Sequence, residues 1–414
     1  MRRFYLAAVV AALISPLPVV AQQSLSAAQD KKKETRGEDF TRPWTLLIYA
    51  AVDNDANDPF VEFLDQARRA FDNDPGIELL VFIDRSEKHR KKAPTYLGED
   101  FTGTRLYRLT KDTAERLSGG SQLPEITLDK DVELNSADAK YVQQFIAWGK
   151  ANYPAQRYGL MIYSHANGVA MCPDGQSGEE MGLAELSDKV SVKERVDFLA
   201  LELCNMGGIE IAYQWRPGNG RFEADVLVAI PNTGPPLDWD RALGRIRTPG
   251  HMPQSGQAVN PATLTAADFG KLVIEEGRLG RLAAEKSGRK QVHESAGCYD
   301  LHRVAAVKNA VDVLSVELAK AGARDIVLEL RKGAISYGGP EGRDVDLYDL
   351  ARRIAGCDRL PERVREFAKG VMATLERFML ASFGMSGYKG FEAGKNGVYI
   401  VLPSGTPGCW QRFR

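Results

Sequence analysis

Five short runs of this chain are apolar almost without a break: WTLLIYAAV (44–52), IELLVFID (77–84), YGLMIYSH (158–165), VDFLALELC (196–204) and ADVLVAIP (224–231). A strand with one face in water alternates apolar and polar residues, so unbroken runs of this length belong to strands covered on both faces. Helical patterns lie between them, at 58–71, at 136–152 with Ser136 as candidate cap, and at 208–216. Strands alternating with helices specify an α/β fold, a mainly parallel central sheet with helices on either side. Beyond residue 255 helices dominate, at 263–286 and 303–321, with SAGCYDL (295–301) and GVYIVLP (397–403) expected to return to the sheet. The expected organisation is an α/β core over 44–255, followed over 256–414 by a helical elaboration with returning strands.

The opening MRRFYLAAVVAALISPLPVVAQQS places Arg2 and Arg3 before a short apolar run and ends in small residues. That is the layout of a secretory signal over 1–21, cut after Ala21, and it predicts export to the periplasm or the extracellular space. Residues 22–43 are polar and charged and read as a flexible lead-in. No later segment is long and apolar enough to span a bilayer, so no membrane contact is expected after signal cleavage. With 54 Lys+Arg against 55 Asp+Glu, the chain has no basic excess, which argues against a nucleic-acid partner.

Several reaction classes lack their signatures. Gly175-Gln176-Ser177-Gly178 is followed by Glu179, so no G-x-S-x-G elbow is completed, and neither a phosphate-binding GxxxxGK[ST] loop nor an HExxH helix occurs. Asp53-Asn54-Asp55-Ala56-Asn57-Asp58 begins like a calcium loop, but Asp58 and Leu64 stand where an EF-hand needs Gly and Glu. The cluster is then a turn that caps the next helix, a cation site, or a wall of an active site. Two strand ends carry reactive groups: His165 where YGLMIYS gives way to Ala-Asn-Gly, and Cys204 where FLALEL gives way to Asn-Met-Gly-Gly. Ligands in doubly wound sheets bind outside the carboxyl ends of strands, so on neighbouring strands this His and Cys would share one crevice. An imidazole that takes the thiol proton, beside a helix start near Gly207 that favours thiolate, performs acyl transfer. Cys172, Cys204, Cys298, Cys357 and Cys409 are odd in number, which leaves at least one thiol unpaired in an exported chain. Among the other histidines, His302 also follows a strand-like run and is the best rival base.

At these residues the sequence resembles the clostripain-like cysteine peptidases, family C11 of the caspase-like clan. Members carry an apolar strand ending in His-Gly and another ending in Asp-x-Cys-x-Met with Glu six residues after the Cys. Here His165-Ala166 and Glu202-Leu203-Cys204-Asn205-Met206 with Glu210 occupy those places. The resemblance extends through Asp53-Asn54, DVDLYDLARRI (344–354) and GVYIVLP. It implies a caspase-like αβα sandwich and an endopeptidase with a Cys204/His165 dyad that cuts proteins or peptides after Arg or Lys. It also implies an oxyanion donor at Ala166 and a first-subsite acid at Glu202, which by strand periodicity shares a face with Cys204. Asn232, Asp238 or Asp240 could complete the pocket. Many members are cut between His and Cys, and Lys189 is the candidate point for self-cleavage. Some use Ca²⁺, although no cofactor is required by this sequence and no metal ligand is assigned. Glu for Asp at 202 and Ala for Gly at 166 motivate an alternative, a catalytically impaired peptide-binding protein on the same fold.

Overall fold

A computed structural model describes residues 41–91, 97–253, 256–288, 294–338 and 342–402. The expected signal at 1–21, the lead-in to residue 40, His293 and Cys409 lie outside the described residues. In chain order the strands are β1 (Arg42–Val52), β2 (Ile77–Arg85), β3 (Gly103–Leu109), β4 (Ala114–Leu117), β5 (Ala155–Tyr163), β6 (Ala170–Met171), β7 (Met181–Gly182), β8 (Val196–Glu202), β9 (Ala224–Ala229), β10 (Ser295–Asp300), β11 (Ser336–Gly338), β12 (Asp344–Asp346), β13 (Met379–Gly384) and β14 (Tyr399–Val401). The helices are α1 (Asn57–Phe71), α2 (Ala139–Asn152), α3 (Leu183–Lys189), α4 (Ile209–Gln214), α5 (Trp239–Arg245), α6 (Ala266–Lys286), α7 (Val304–Lys320), α8 (Arg324–Lys332), α9 (Leu347–Ala355) and α10 (Glu362–Phe378).

Nine strands form one sheet in the order β13-β10-β9-β8-β5-β1-β2-β3-β4. The five runs recognised in the sequence are its parallel centre, β2-β1-β5-β8-β9. Antiparallel β3 and β4 extend one side, and antiparallel β10 and β13 the other. Each central strand buries both faces. In β1, Leu47, Tyr49 and Ala51 face one helical layer with α2, while Trp44, Leu46, Ile48, Ala50 and Val52 face the other with α1, α5 and α6. At about 1.5–3 kcal/mol for each large side chain removed from water, this double coverage is what holds the sheet. The architecture is an αβα sandwich.

Two readings change. SAGCYDL does rejoin the main sheet as β10, but the closing strand β14 pairs with β12 in a separate three-stranded sheet, β11-β12-β14. Asp346 anchors that small sheet: its buried carboxylate caps α9 through Asp349 N (2.8 Å) and accepts from Tyr337 Oη (2.7 Å), Asn396 Nδ2 (2.6 Å) and Gly397 N (2.9 Å). Ser136 is not the cap of α2. Asp138 caps it by accepting from Lys140 N, and Ser136 instead donates through its N–H and Oγ to Asp174.

The direction of winding places the site. From β1 the chain crosses to β2 on one side, and later strands add on the other as β5, β8 and β9. The switch point therefore lies between β1 and β5, and a crevice opens at the carboxyl ends there.

Candidate active site

β5 and β8 are hydrogen-bonded neighbours, with Tyr163 opposite Glu202 at their last residues. His165 and Cys204 each stand two residues past that pair, on adjoining loops whose strands are about 4.8 Å apart. The loops also touch farther on. Gly168 has φ +85°, and a Cβ there would lie 3.1 Å from Asn205 O, so the turn after His165 packs directly on the turn after Cys204.

The sequence around the thiol is shaped by that turn. Asn205 takes a left-handed φ of 58°, and Met206 N and Gly207 N both donate to Ile230 O (2.8 and 3.2 Å). Tyr399 Oη, on β14, donates to Asn205 O (2.5 Å). The two glycines are explained by close approach: a Cβ on Gly207 would sit 2.8 Å from Pro231 Cα, and one on Gly208 2.6 Å from the Tyr399 ring. Cys204 is half-buried and its thiol is free, as are those of Cys172, Cys298 and Cys357. Burial pushes the Cys172 and Cys298 thiols well up, as suits inert core cysteines. The helix expected to favour thiolate is a weaker device than its sequence suggests. It begins at Ile209, five residues beyond Cys204, and runs for only six residues, whereas helix-dipole effects fade within one turn.

The structure adds a third residue. His165 Nε2 lies 2.7 Å from Asp55 Oδ1, and the hydrogen bond to His165 holds the Asp55 carboxyl below its ordinary value. Asp55 sits at the end of β1, across the switch point, in a turn stitched by Asn54. Asn54 Nδ2 donates to Pro173 O (2.8 Å) and Ala51 O (3.1 Å), and Asn54 Oδ1 accepts from Ala56 N (3.0 Å). Of the readings open for residues 53–58, an active-site wall fits Asp55, while α1 begins without a side-chain cap. The rival base is excluded by position: His302 Nε2 pairs with Asp225 Oδ1 (3.1 Å) near the amino end of β9, the opposite edge of the sheet from Cys204.

The expected pocket acids differ from their sequence reading. β8 ends at Glu202, so the same-face argument stops short of Cys204. Glu202 points into the layer that holds Trp239 and is only 4% exposed. Its Oε1 accepts from Trp239 Nε1 (2.6 Å) and its Oε2 from Leu237 N (2.9 Å). Burial pushes its carboxyl up, against the opposing effects of those two bonds and of Arg281. Asn232 is buried and structural: its Oδ1 accepts from Ser295 N (3.0 Å), its carbonyl from Asn205 N (3.0 Å), and its Nδ2 donates to Thr233 O (2.7 Å). Asp238 pairs with Arg281 (2.9 Å), whose guanidinium also donates to Pro236 O (2.6 Å) and ion-pairs with Glu294. Asn232 and Asp238 are thus both engaged with neighbouring loops and with Arg281.

Ala166 forms a bridge with Met171, but the two bonds that close it run from Cys172 N to His165 O and from Asn167 N to Ala170 O. The Ala166 N–H is not spent on that hairpin. Lys189 is exposed as the last residue of α3, where Val190 N still donates to Leu186 O. A peptidase binds its substrate extended, so a cut at Lys189 requires this last turn to unwind.

The family model described as the Clostripain family matches residues 48–414. Clostripain of Hathewaya histolytica is 31% identical over 399 residues, covering 87% of this chain and 74% of its own length. Two solved structures share the fold. A secreted C11 cysteine protease from Bacteroides thetaiotaomicron, in complex with an irreversible peptide inhibitor, superposes with a TM-score of 0.59 at 18% identity and covers 90% of this chain and 96% of that one. An inactive zymogen C11 protease from Parabacteroides distasonis gives 0.55 at 16% identity, covering 89% and 94%.

Proposed function

This chain belongs to the clostripain family and is a cysteine peptidase of caspase-like fold, and we propose that it is an exported endopeptidase that cleaves after basic residues through Cys204 and His165. The observation that carries the dyad is the β5/β8 register, which sets both residues two positions past one cross-strand pair. Export is supported by the sequence at 1–21 and by the secreted relative of the same fold. No helix among the described residues is long and apolar enough to cross a membrane. N-terminal sequencing of the exported protein should begin at Gln22.

The chemistry follows from which imidazole nitrogen is engaged. Asp55 as a carboxylate can only accept, so His165 Nε2 carries the proton and Nδ1 keeps its lone pair for the thiol. Nδ1 takes the Cys204 proton and the thiolate adds to the scissile carbonyl carbon. The developing oxyanion accepts from the Ala166 N–H. As the C–N bond breaks, the imidazolium returns the proton to the leaving amine. A water then gives its proton to Nδ1 and attacks the thioester, releasing the new carboxylate and restoring the thiol.

Specificity for Arg or Lys is supported by the relationship to clostripain and by the acid beneath the site. A carboxylate has about four acceptor positions, of which Glu202 uses two, so a substrate cation can still be received. Hydrolysis of matched peptides with Arg, Lys, Leu or Asp before the scissile bond tests this directly, and equal rates for all four would reject it.

Asp55 acts through His165 and is a positioning residue. It is 74% exposed and His165 47%, so solvent weakens the pair. Asp55→Asn should lower kcat roughly 3–30-fold, far less than the ~10⁴-fold loss for a buried triad aspartate, with KM unchanged and the acidic limb of the pH–rate profile displaced. An unaltered kcat and pH profile would show that the contact is incidental.

A further inference from the structure

The small sheet β11-β12-β14 reaches the dyad from the second half of the chain, and two side chains on or beside its strands touch the two catalytic loops. Tyr399, the first residue of β14, is buried, and its Oη donates to Asn205 O (2.5 Å) in the turn after Cys204. Arg343, just before β12, donates through Nη2 to Asn167 O (3.0 Å) in the turn after His165 and through Nε to Oδ1 of the buried Asp344 (3.1 Å). The two donors converge on one glycine. A Cβ on Gly168 would lie 3.1 Å from Asn205 O, 3.2 Å from Arg343 Nη2 and 3.3 Å from Tyr399 Oη, and its φ of +85° already favours glycine.

The backbone around these donors gives them little freedom. Asp344 pairs with Val401 and Asp346 with Tyr399, and Leu402 N donates to Arg343 O (2.8 Å). Tyr399 N donates to Gly207 O (3.0 Å), and Val401 N to Glu210 Oε1 (3.0 Å) at the start of α4. The turn after Cys204 is also held by its own N–H groups, which donate to Ile230 O and Asn232 O. Burial pushes the Tyr399 phenol well up, so the hydroxyl keeps its proton and can donate to a carbonyl.

We propose that Tyr399 and Arg343 are positioning residues for the peptidase reaction, a latch that fixes the turn after Cys204 against the turn after His165 and so sets the distance from thiol to imidazole. The inference rests on the dyad of Cys204 and His165. Neither of those side chains is fixed by burial, since Cys204 is half-buried and His165 is half in solvent. Proton transfer from Sγ to Nδ1 needs the two atoms within hydrogen-bond reach, and a displacement of about 1 Å can cost ~10²-fold in rate. The latch touches the loops and not the substrate, so it acts on kcat rather than on KM.

In the full chain, exhaustive labelling of Cys204 by a peptidyl acyloxymethylketone counts the competent sites before rates are compared. Tyr399→Phe keeps the ring against Gly208 and removes only the hydroxyl. Its kcat per titrated site should fall roughly 10-fold with KM within ~2-fold of the parent. Alkylation of Cys204 by iodoacetamide, which needs no peptide binding, should slow and shift its pH profile, because thiolate formation has lost its aligned base. Arg343→Met should lower kcat per site roughly 3–10-fold, Arg343→Lys should recover part of that loss, and the double variant Tyr399→Phe/Arg343→Met should lose less than the product of the single losses. Tyr49→Phe is the control, since Tyr49 Oη donates to Ser136 O (2.8 Å) in the core: it should lower the Tm and leave kcat per site unchanged. If Tyr399→Phe fails to fold, the Arg343 variants carry the test. With Cys204→Ala inactive and unlabelled, unchanged kcat per site and alkylation profiles in Tyr399→Phe and Arg343→Met overturn the latch alone. A loss confined to the Tm or to the number of titratable sites does the same, and makes both residues struts. An active Cys204→Ala protein instead overturns the dyad, and the latch with it.

Discussion

Cys204→Ala is expected to abolish hydrolysis of every peptide, basic or not, with a loss on the order of 10⁴-fold or more in kcat, and His165→Ala should fall nearly as far. The two changes are not additive, because thiol and imidazole act as one unit, so the double variant should be no worse than Cys204→Ala alone. Stability should hardly move. Cys204 is half-buried with no cross-link, and His165 is half in solvent. Labelling with a peptidyl acyloxymethylketone separates the roles: Cys204→Ala takes no label, while His165→Ala labels slowly because its thiol has lost its base but not its place. A Cys204→Ala protein that keeps activity within ~10-fold, or labelling at Cys172, Cys298 or Cys357, would remove the dyad. The buried Cys172 and Cys298 thiols make the second outcome chemically disfavoured.

Much of this was legible in the sequence because it is local. Unbroken apolar runs mark strands covered on both sides, and the five so marked became the parallel centre of the sheet. The strand ends also pointed to His165 and Cys204, since in α/β folds chemistry collects where strands give way to loops. What was not legible depends on register and on partners far apart in sequence. β3 was missed because Arg105 and Arg108 interrupt its apolar pattern; their guanidiniums are paired with Glu99, Asp131 and Glu78, which only the folded sheet reveals. Asp55 was one acid among several until β1 and β5 were seen to adjoin, 110 residues apart in the chain. The closing GVYIVLP run looked like the other core strands, yet Asp346 gathers it into a second sheet that reaches the Cys204 turn through Tyr399.

Glu202→Gln should produce two separable effects, one on folding and one on selection. The carboxylate accepts from Trp239 Nε1 and Leu237 N, and a glutamine can accept from only one of them while its amide faces the other donor. Leaving one buried donor unmatched costs about 1–3 kcal/mol, readable as a lower urea midpoint at unchanged m. That loss alone would lower turnover of all substrates alike. The loss of charge acts differently: if Glu202 receives the basic side chain, kcat/KM for Arg and Lys peptides should fall by roughly 10²-fold relative to a Leu peptide, the scale for removing one member of a buried charged pair. Glu202→Asp is the companion, retaining the charge one methylene shorter. It should preserve basic selectivity while weakening the hold on Trp239 or Leu237. The pH dependence carries the same sign. Burial raises the Glu202 pKa, so ionising it opposes folding as pH rises, whereas selectivity for a cation is present above that raised pKa and is lost as pH falls through it. Basic preference should therefore fade on acidification while hydrolysis of the Leu peptide does not follow it. If Glu202→Gln destabilises the protein but leaves the Arg-to-Leu ratio unchanged, Glu202 is a strut for the 237–239 turn, and the selecting charge must come from elsewhere on the crevice wall.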